Sequence, residues 1–594
     1  MIKNKLLFRL FFTLERYTLA TFLCSLPLFE LQNTLSAIAQ EILKKNFGES
    51  TTVHFDVCME EGHGDLTSSI ALQYGKKVGK KPQEVAKALA DGLQSVDGVQ
   101  SADVAGPGFV NIILTDRSLG GVLAEVPESC VPKKPKKGAQ PVIVEYSSPN
   151  IAKPLGIHHI LTTMIGQSIA NLYRFTGHDV VAISHIGDWG TQFGKLAVAH
   201  AKWGTKPVSE HSVDELLQLY VRFHDEAEKS PALEDEGRAA FASLEQGDAG
   251  LKTFWASVVE ITLREMDDVY RRLHVRFDAV LGESFYEDRM APVIEEGKKK
   301  GVFTTGEKGA LVVEFPETTK IPTAIVVKSD GSTIYLTRDL ATIRYRIDTW
   351  HPSSIVYVVG VEQQNHFQQL FETVRMLGWD LPALEHVLFG RMRFADKAMS
   401  TRKGNILRLE EVLDEAVTRA DAIIKERGEK IQTDDPKELS EMIGIGALVY
   451  GILSQNRKMD MVFDWDKMLS FEGNSAPYVQ YTHARAMSVL RKAGDGEISA
   501  VPNIDRLSTA ERTLIKILVQ FRDVLESARK DHLPHKLTVY IYELCQAFNR
   551  FYASDDILTS TGDTRTFRLL LAKNTARVLK TGAEILTIRV PDRM

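Results

Sequence analysis

The sequence predicts a multidomain α/β protein with a parallel-sheet domain at its centre, and three observations lead to this fold class. With 594 residues the chain exceeds what one hydrophobic core usually supports, so roughly two to four domains are expected. Between residues 141 and 433, strand-like apolar runs alternate with helical patterns, as in a parallel sheet covered by helices. From residue 434 to 594 the pattern is helical, which predicts an all-α bundle.

Composition places the chain in the ordinary globular class. Apolar residues make up 44% and charged residues 25%, and the formal net charge is -6. An acidic total does not point to nucleic acid, although a local basic face can still bind it. The four cysteines are widely separated and have no metal-binding spacing, so we expect a cytoplasmic location and no protein-bound metal; they are Cys24, Cys58, Cys130 and Cys545.

Residues 1–28 are interpreted as an N-terminal extension, either dispensable or the result of a start codon placed too early. Their longest uncharged run, residues 17–29, has 13 residues. A membrane-spanning helix needs about 20, so we expect no membrane association. The apolar part is interrupted at Arg9, Glu15 and Arg16, and no small-residue cleavage site follows it, unlike a secretory signal.

Residues 29–125 are predicted to form a small α+β domain. Helical spacing opens it, at Leu31, Leu35, Ile38, Ala39, Ile42 and Leu43, and "AGPGFVNIIL" places glycines and a proline before a strand. Residues 126–140 carry prolines and four lysines, which is typical of a solvated linker. The lysines of this linker serve either in a plain spacer or as a basic contact for a polyanion.

The central domain is predicted from five strand-like runs, at residues 142–146, 180–184, 321–328, 332–337 and 354–360. Residues 201–276 are helical and charged, and we interpret them as an insertion in the sheet domain. The C-terminal bundle shows its clearest apolar stripe in one helix, at Leu537, Tyr540, Ile541, Leu544, Ala547, Phe548 and Phe551.

Two loops of the central domain carry residues suited to phosphate. The first, residues 147–159, follows a strand, opens a helix and contains Lys153, His158 and His159. It is neither a dinucleotide fingerprint nor a P-loop. Imidazoles and an ammonium at a helix N-terminus can donate to phosphate oxygens during phosphoryl or nucleotidyl transfer, although two histidines alone are more often surface residues. A second loop is cationic and contains Lys397, Ser400, Thr401, Arg402, Lys403 and Gly404.

The two loops resemble the paired signatures of class I aminoacyl-tRNA synthetases, His-x-Gly-His and Lys-Met-Ser-Lys-Ser. Five longer stretches resemble the arginyl-tRNA synthetase family in particular: "EYSSPNIAKP", "GDWGTQFGKL", "YLTRDLA", "MSTRKGN" and "YVQYTHARA". The likeness runs from about residue 31 to residue 594. It implies a Rossmann-like catalytic domain with a helical insertion, an N-terminal tRNA-binding domain and a C-terminal helical anticodon-binding domain.

The resemblance implies an enzyme that joins L-arginine to ATP, giving arginyl-adenylate and pyrophosphate. The arginyl group then passes to the terminal adenosine of tRNA(Arg). ATP is expected as a substrate together with Mg²⁺, and the chain is expected to act as a monomer. Two alternatives remain open: a catalytically weak tRNA-binding paralogue on the same scaffold, and a different nucleotidyl transferase that uses related signatures.

Both signatures depart from the class pattern. The first histidine of His-x-Gly-His falls on Gly156 and its glycine falls on His158, while the last histidine is retained as His159. In the second signature both lysine positions are non-basic. The resemblance implies that Lys153 compensates for the second lysine. Implied catalytic residues are Lys153, His158, His159, Ser400, Arg402 and Lys403, and implied ATP-binding residues are Pro149, Gly156, His159, Met399 and Ser400.

Arginine and tRNA sites are also implied by the resemblance. A guanidinium is a planar fork of donors that matches carboxylates and amide oxygens, and the matching positions are Glu145, Asn150, Tyr335, Asp339 and Gln363. On its own, Asp339 is more often a helix cap or a surface ion pair. Proposed tRNA contacts are Tyr478, Tyr481, His483, Arg485, Asn549 and Tyr552, for which core packing is the alternative.

Overall fold

The computed structural model describes residues 28–60, 62–394, 407–428, 431–494 and 501–594. An N-terminal α+β domain comes first, and its antiparallel sheet has the strand order β1-β2-β4-β3. Its elements are α1 (Leu28–Phe47), β1 (Asp56–Val57), β2 (Leu66–Ser68), α2 (Ile70–Lys77), α3 (Pro82–Leu93), β3 (Val99–Ala105), β4 (Phe109–Leu114), α4 (Asp116–Gly121) and α5 (Val126–Ser129). The predicted stripe of α1 is buried at Leu31, Leu35, Ala39 and Leu43, because these side chains share one helical face.

The central domain is built on a five-stranded parallel sheet with the order β12-β11-β5-β6-β7. Its strands are β5 (Val142–Glu145), β6 (Val180–Ser184), β7 (Ala279–Val280), β11 (Ser354–Tyr357) and β12 (Ala383–His386). Every residue of β5 is buried, as expected for a central strand covered on both faces. Helix α6 (His159–Phe175) connects β5 to β6 and begins at the edge where β5 ends.

A helical insertion lies between β6 and β7. It consists of α7 (Thr191–Trp203), α8 (Val213–Lys229), α9 (Ala232–Glu245) and α10 (Ala249–Arg272). Helix α11 (Glu287–Lys299) follows β7 and leads to a separate antiparallel sheet. The strands of that sheet, in the order β10-β9-β8, are β8 (Thr304–Thr305), β9 (Leu311–Val313) and β10 (Ala324–Val327).

Two of the predicted strands are therefore corrected. Residues 321–328 do contain a strand, but it belongs to the antiparallel sheet and not to the parallel one. Residues 332–337 do not form a strand, because α12 (Tyr335–Trp350) begins inside this run. A short apolar run does not distinguish a buried strand from the first turn of a helix, and the antiparallel neighbours of β10 leave no local mark in the sequence.

The remaining elements are mostly helical, which confirms the predicted fold class. They are α13 (Gln364–Met376), β13 (Met392–Phe394), α14 (Leu409–Arg427), α15 (Pro436–Leu453), β14 (Met461–Phe463), α16 (Trp465–Met468), α17 (Ala476–Ala493), α18 (Thr509–Val519), α19 (Phe521–Asp531), α20 (His535–Ser554) and α21 (Gly562–Ile585). All seven residues of the predicted stripe in α20 are buried. Within the described ranges, none of the helices has the length and apolarity that crossing a bilayer requires.

Candidate active site

The loop between β5 and α6 leaves the carboxyl edge of the parallel sheet in a strained conformation. Ser147 and Ala152 both have left-handed backbone angles, with φ of 54° and 61°. The Ser147 backbone N–H donates to Thr162 Oγ1 at 3.1 Å, and its carbonyl accepts from Ser184 Oγ at 2.7 Å. Strain of this kind persists only where surrounding contacts hold it, and it clusters at functional sites.

His159 is the first residue of α6 and is held in a defined state. The Gly156 N–H donates to His159 Nδ1 at 2.9 Å, so the neutral ring carries its proton on Nε2. Burial, together with the charge of neighbouring His158, lowers the pKa of His159 to about 4. The imidazole is therefore neutral at pH 7, with Nε2–H available to donate. The exposed His158 ring lies beside it, with ring centroids 4.0 Å apart.

Lys153 lies in the same loop and faces the helical insertion. Its Nζ is 5.6 Å from the ring centroid of Tyr220 on α8. Lys153 also lines a small cleft together with Thr262 of α10 and with Arg408. The backbone N–H of Ala152 donates to Thr262 Oγ1 at 3.2 Å, so the insertion fixes the path of this loop.

The segment that follows the second signature is joined to the first signature loop. Ile157 N–H donates to the Leu407 carbonyl at 2.8 Å, and Leu409 N–H donates to the Leu155 carbonyl at 2.8 Å. The first loop thus contacts the residues that directly follow the second loop. The predicted site residues of the second loop, Met399, Ser400, Arg402 and Lys403, lie outside the described residues, as does the neighbouring Lys397.

The two carboxylates expected to bind a guanidinium each have a basic partner. Glu145, the last residue of β5, is buried and ion-paired with the fully buried Arg346 of α12. Asp339, also on α12, receives His366 Nε2 of α13 at 2.5 Å. Burial raises the pKa of the Tyr357 phenol, the Arg346 charge opposes that rise, and the charges of Glu145 and Asp339 add to it. Tyr357 is also the direct neighbour of Glu145 in the pairing of β11 with β5.

The elements that carry the predicted residues meet at one edge of the sheet. Strands β5 and β11 are parallel neighbours, and Thr162 Oγ1 of α6 donates to the Val358 carbonyl, just after β11, at 2.7 Å. Asn150 and Gln363, which follow β5 and β11, are exposed, and so is Tyr335, the first residue of α12, by 72%. In the described part of the chain, no direct contact joins Lys153 to His159 or Asp339.

Sequence reasoning missed three ionisable residues beside these carboxylates: Arg346, His366 and Glu283. Burial raises the pKa of Glu283 to about 7, and Arg338, whose Nη1 is 3.6 Å away, opposes this rise. A usable signal existed for Arg346 alone. It falls within the apolar repeat of α12 next to Ile343, where a charged side chain implies a buried partner.

Five of the six predicted tRNA contacts form one cluster on α17 and α20. The Arg485 guanidinium lies 4.8 Å from the Tyr481 ring centroid and 5.0 Å from that of Tyr552. It also donates to Asn549, whose amide donates to the Tyr478 hydroxyl at 3.0 Å. Tyr481 and Tyr552 are 37% and 43% exposed and border a cavity of about 170 Å³.

His483 is placed differently from the other five. It is 1% exposed, and its Nδ1 contacts the Pro591 carbonyl at 2.9 Å. Burial lowers the pKa of this histidine. The side chain is thus part of the packing between α17 and the last residues, which is the alternative considered for this group.

Comparisons with known proteins agree on one family. The family described as "tRNA synthetases class I (R), catalytic domain" matches residues 126–465. The "DALR anticodon binding domain" matches residues 479–594, and the "Arginyl tRNA synthetase N terminal domain" matches residues 30–114.

Relatives and solved structures extend this likeness over nearly the whole chain. The chain is 39% identical to the arginine–tRNA ligase of Fusobacterium nucleatum over 553 residues, which cover 92% of this chain and 96% of that protein. It is 40% identical to that of Clostridioides difficile, over 87% and 91% of the two chains. The fold matches Thermus thermophilus arginyl-tRNA synthetase with a TM-score of 0.77 at 24% identity, covering 95% and 100% of the two chains. The chain therefore belongs to the arginyl-tRNA synthetase family.

Proposed function

We propose that this chain is an arginine–tRNA ligase, which activates L-arginine with ATP and transfers it to the 3′ terminal adenosine of tRNA(Arg). The observation that carries this proposal is the meeting, at one sheet edge, of a neutral histidine donor with two buried or half-buried carboxylates. The histidine suits a phosphate and the carboxylates suit a guanidinium. Membership of the family supplies the reaction that uses both.

Adenylate formation needs charge stabilisation at the α-phosphate. In the proposed mechanism the carboxylate of arginine attacks that phosphorus and pyrophosphate leaves, without a covalent enzyme intermediate. His159 donates from Nε2 to an α-phosphate oxygen, because its Nδ1 is already bonded to the Gly156 N–H. Lys153 supplies positive charge beside the triphosphate. Pro149 and Gly156 line the ATP site in this proposal, and Mg²⁺ arrives with ATP as part of the substrate.

Selection of arginine depends on the acidic side chains. Asp339 and Glu145 are proposed to receive the guanidinium beside Tyr335, while Asn150 and Gln363 hold the α-amino and carboxylate ends. A site built from carboxylates rejects shorter or neutral side chains strongly, since its acceptors are then left without donors. His366 shows that the Asp339 carboxylate already accepts from a nitrogen donor at 2.5 Å.

Recognition of tRNA is assigned to both outer domains. In the C-terminal bundle, the exposed rings of Tyr481 and Tyr552 can stack on unpaired bases while Arg485 between them meets phosphate or a base edge. Asn549 accepts a hydrogen bond from Arg485 and is itself held by the Tyr478 hydroxyl. A monomer suffices for this arrangement in our proposal, and the cytoplasmic location stays a prediction.

A second candidate is favoured by one observation: the first signature lacks its usual first histidine and glycine, with Gly156 and His158 in their places. A catalytically weak tRNA-binding paralogue would show this kind of change. Arginine-dependent ATP–pyrophosphate exchange, measured with and without tRNA(Arg), separates the candidates. Exchange that requires arginine supports the ligase. Binding of tRNA(Arg) without exchange under either condition supports the paralogue, and exchange driven by another acid supports a different nucleotidyl transferase.

A further inference from the structure

Arg346 forms a buried ion pair with Glu145 in the central domain, and the proposed function gives Arg346 no role. Arg346 is fully buried on α12, and Glu145 ends the central strand β5. One guanidinium nitrogen, Nη2, contacts one carboxylate oxygen, Oε2. Among the described residues no hydrogen bond reaches the second oxygen, Oε1. The pair thus leaves Oε1 of a substrate-site carboxylate unused.

This pair is poorly suited to a purely stabilising role. All three side-chain nitrogens of Arg346, including the Nη2 that forms the ion pair, and the Tyr286 and Tyr357 hydroxyls are buried without a hydrogen bond of good geometry in the described part of the chain. Removing ions and polar groups from water costs free energy that a single contact seldom returns. A well-packed apolar pair would serve packing better. Buried polar groups that are incompletely satisfied call for another explanation, and function is the common one.

Charged and titratable groups face Glu145 from three sides. Arg346 comes from α12, Tyr286 from the short turn before α11, and Tyr357 from β11. The guanidinium carbon of Arg346 lies 5.5 Å from the Tyr357 ring centroid. Asp339 lies about two helical turns before Arg346 on α12, and its charge also raises the pKa of Tyr357. Among the residues that the structure describes around Glu145, Arg346 is the only cation.

We propose that Arg346 is a positioning residue, which holds the Glu145 carboxylate oriented so that its free oxygen receives the bound arginine. This inference rests on the proposed function and goes one step further. Two consequences follow from the chemistry. Without Arg346, a buried carboxylate takes up a proton more readily, because burial disfavours its charged form. Removing Arg346 should then weaken the binding of arginine but not of ATP, and the effect should depend on pH.

The test compares wild type, R346M, R346K and E145Q/R346M in arginine-dependent ATP–pyrophosphate exchange between about pH 6.5 and about pH 8.5. For R346M we expect a raised arginine KM that falls by roughly tenfold or more as pH rises, because the ionised fraction of an acid grows up to tenfold per pH unit below its titration point. The ATP KM should stay within about twofold of wild type. R346K keeps a cation and should follow the wild-type pH profile.

The double variant identifies the titrating group. E145Q/R346M has no carboxylate at position 145, so its arginine KM should be high with the pH slope of wild type. The same slope as in R346M would assign the effect to Asp339 or His366 and overturn the proposal. A lower arginine KM in R346M would also overturn it, since Arg346 would then compete with the substrate.

Folding and the underlying function are controlled separately. If R346M does not fold, R346K decides: a raised arginine KM with an unchanged ATP KM supports positioning, and equal changes in both overturn it. A wild-type enzyme without arginine-dependent exchange would contradict the proposed function itself. Normal wild-type exchange combined with parallel pH profiles for wild type and R346M would contradict only the role of Arg346.

Discussion

Replacing Gly187 by alanine should displace Asn150 and weaken the binding of arginine. A Cβ atom at position 187 would lie 2.2 Å from Asn150 Oδ1, and ordinary contact begins at 3.4 Å, so the amide must withdraw by about 1.2 Å. The backbone at this position is pinned, because Gly187 N–H donates to the Pro149 carbonyl at 2.9 Å and its own carbonyl accepts from Ile151 at 3.1 Å. The side chain therefore has to move. Misplacement of a positioning group by about 1 Å costs up to roughly 10²-fold.

For Gly187→Ala we expect the arginine KM in ATP–pyrophosphate exchange to rise by roughly 10- to 100-fold, with the ATP KM within about twofold. Asn150→Ala and the double variant complete a cycle. If the effect acts through the Asn150 amide, the double variant should match Asn150→Ala alone. Gly120→Ala is the matched control, since its Cβ would meet Phe567 at an ordinary 3.4 Å. A folded Gly187→Ala enzyme with a wild-type arginine KM would show that the Asn150 amide does not position arginine.

Four further predictions concern the proposed site residues. His159→Ala should lower the rate of adenylate formation roughly 10²- to 10³-fold in pyrophosphate exchange, because it removes a preorganised donor; an unchanged rate would contradict that role. The pKa of His159 is about 4 in the folded chain and ordinarily 6.5, so the unfolded chain binds more protons between these two pH values. The contribution of His159 to the free energy of unfolding should therefore be lost as pH falls from about 6.5 toward 4. Denaturant melts should show that the free energy of unfolding falls less steeply with decreasing pH in His159→Gln than in wild type. Asp339→Asn should raise the arginine KM by at least about tenfold, and a change under about twofold would argue against the pocket. Tyr552→Ala should raise the tRNA KM in aminoacylation by roughly 5- to 100-fold, the value of one lost base stack, and leave the arginine KM unchanged.

The regular elements were largely predictable from local patterns. The stripe of α20 and the apolar residues Val142 to Val144 of β5 are visible in the sequence, because a helix buries one periodic face and a strand covered on both sides buries every residue. Residues 321–328 and 332–337 were both predicted as strands of the parallel sheet. The first run contains a strand of a different sheet, and the second run opens α12. Which sheet a strand joins depends on partners that are distant in the chain.

The candidate site was predictable as residue types but not as interactions. Glu145 and Asp339 were found by family likeness, yet the guanidinium and imidazole that contact them lie outside the stretches that carry the likeness. Pairing between residues far apart in sequence is decided by how β5, α12 and α13 pack. The Tyr481 and Arg485 cluster was easier, because aromatic and basic residues at helical spacing on one face imply a common surface.

The changes in the first signature leave two of its proposed roles in place. These roles are control of the His159 tautomer and donation to phosphate, and different atoms carry them. Control of the His159 tautomer comes from the Gly156 backbone N–H, which any residue except proline supplies. In our proposal, donation to phosphate comes from the His159 side chain, which is retained. What the glycine at 156 removes is one additional imidazole, and the exposed ring of His158 stands 4.0 Å from His159. The loop therefore keeps two imidazoles at the N-terminus of α6 in a different order, and the proposed donation to phosphate requires only that they lie in that place.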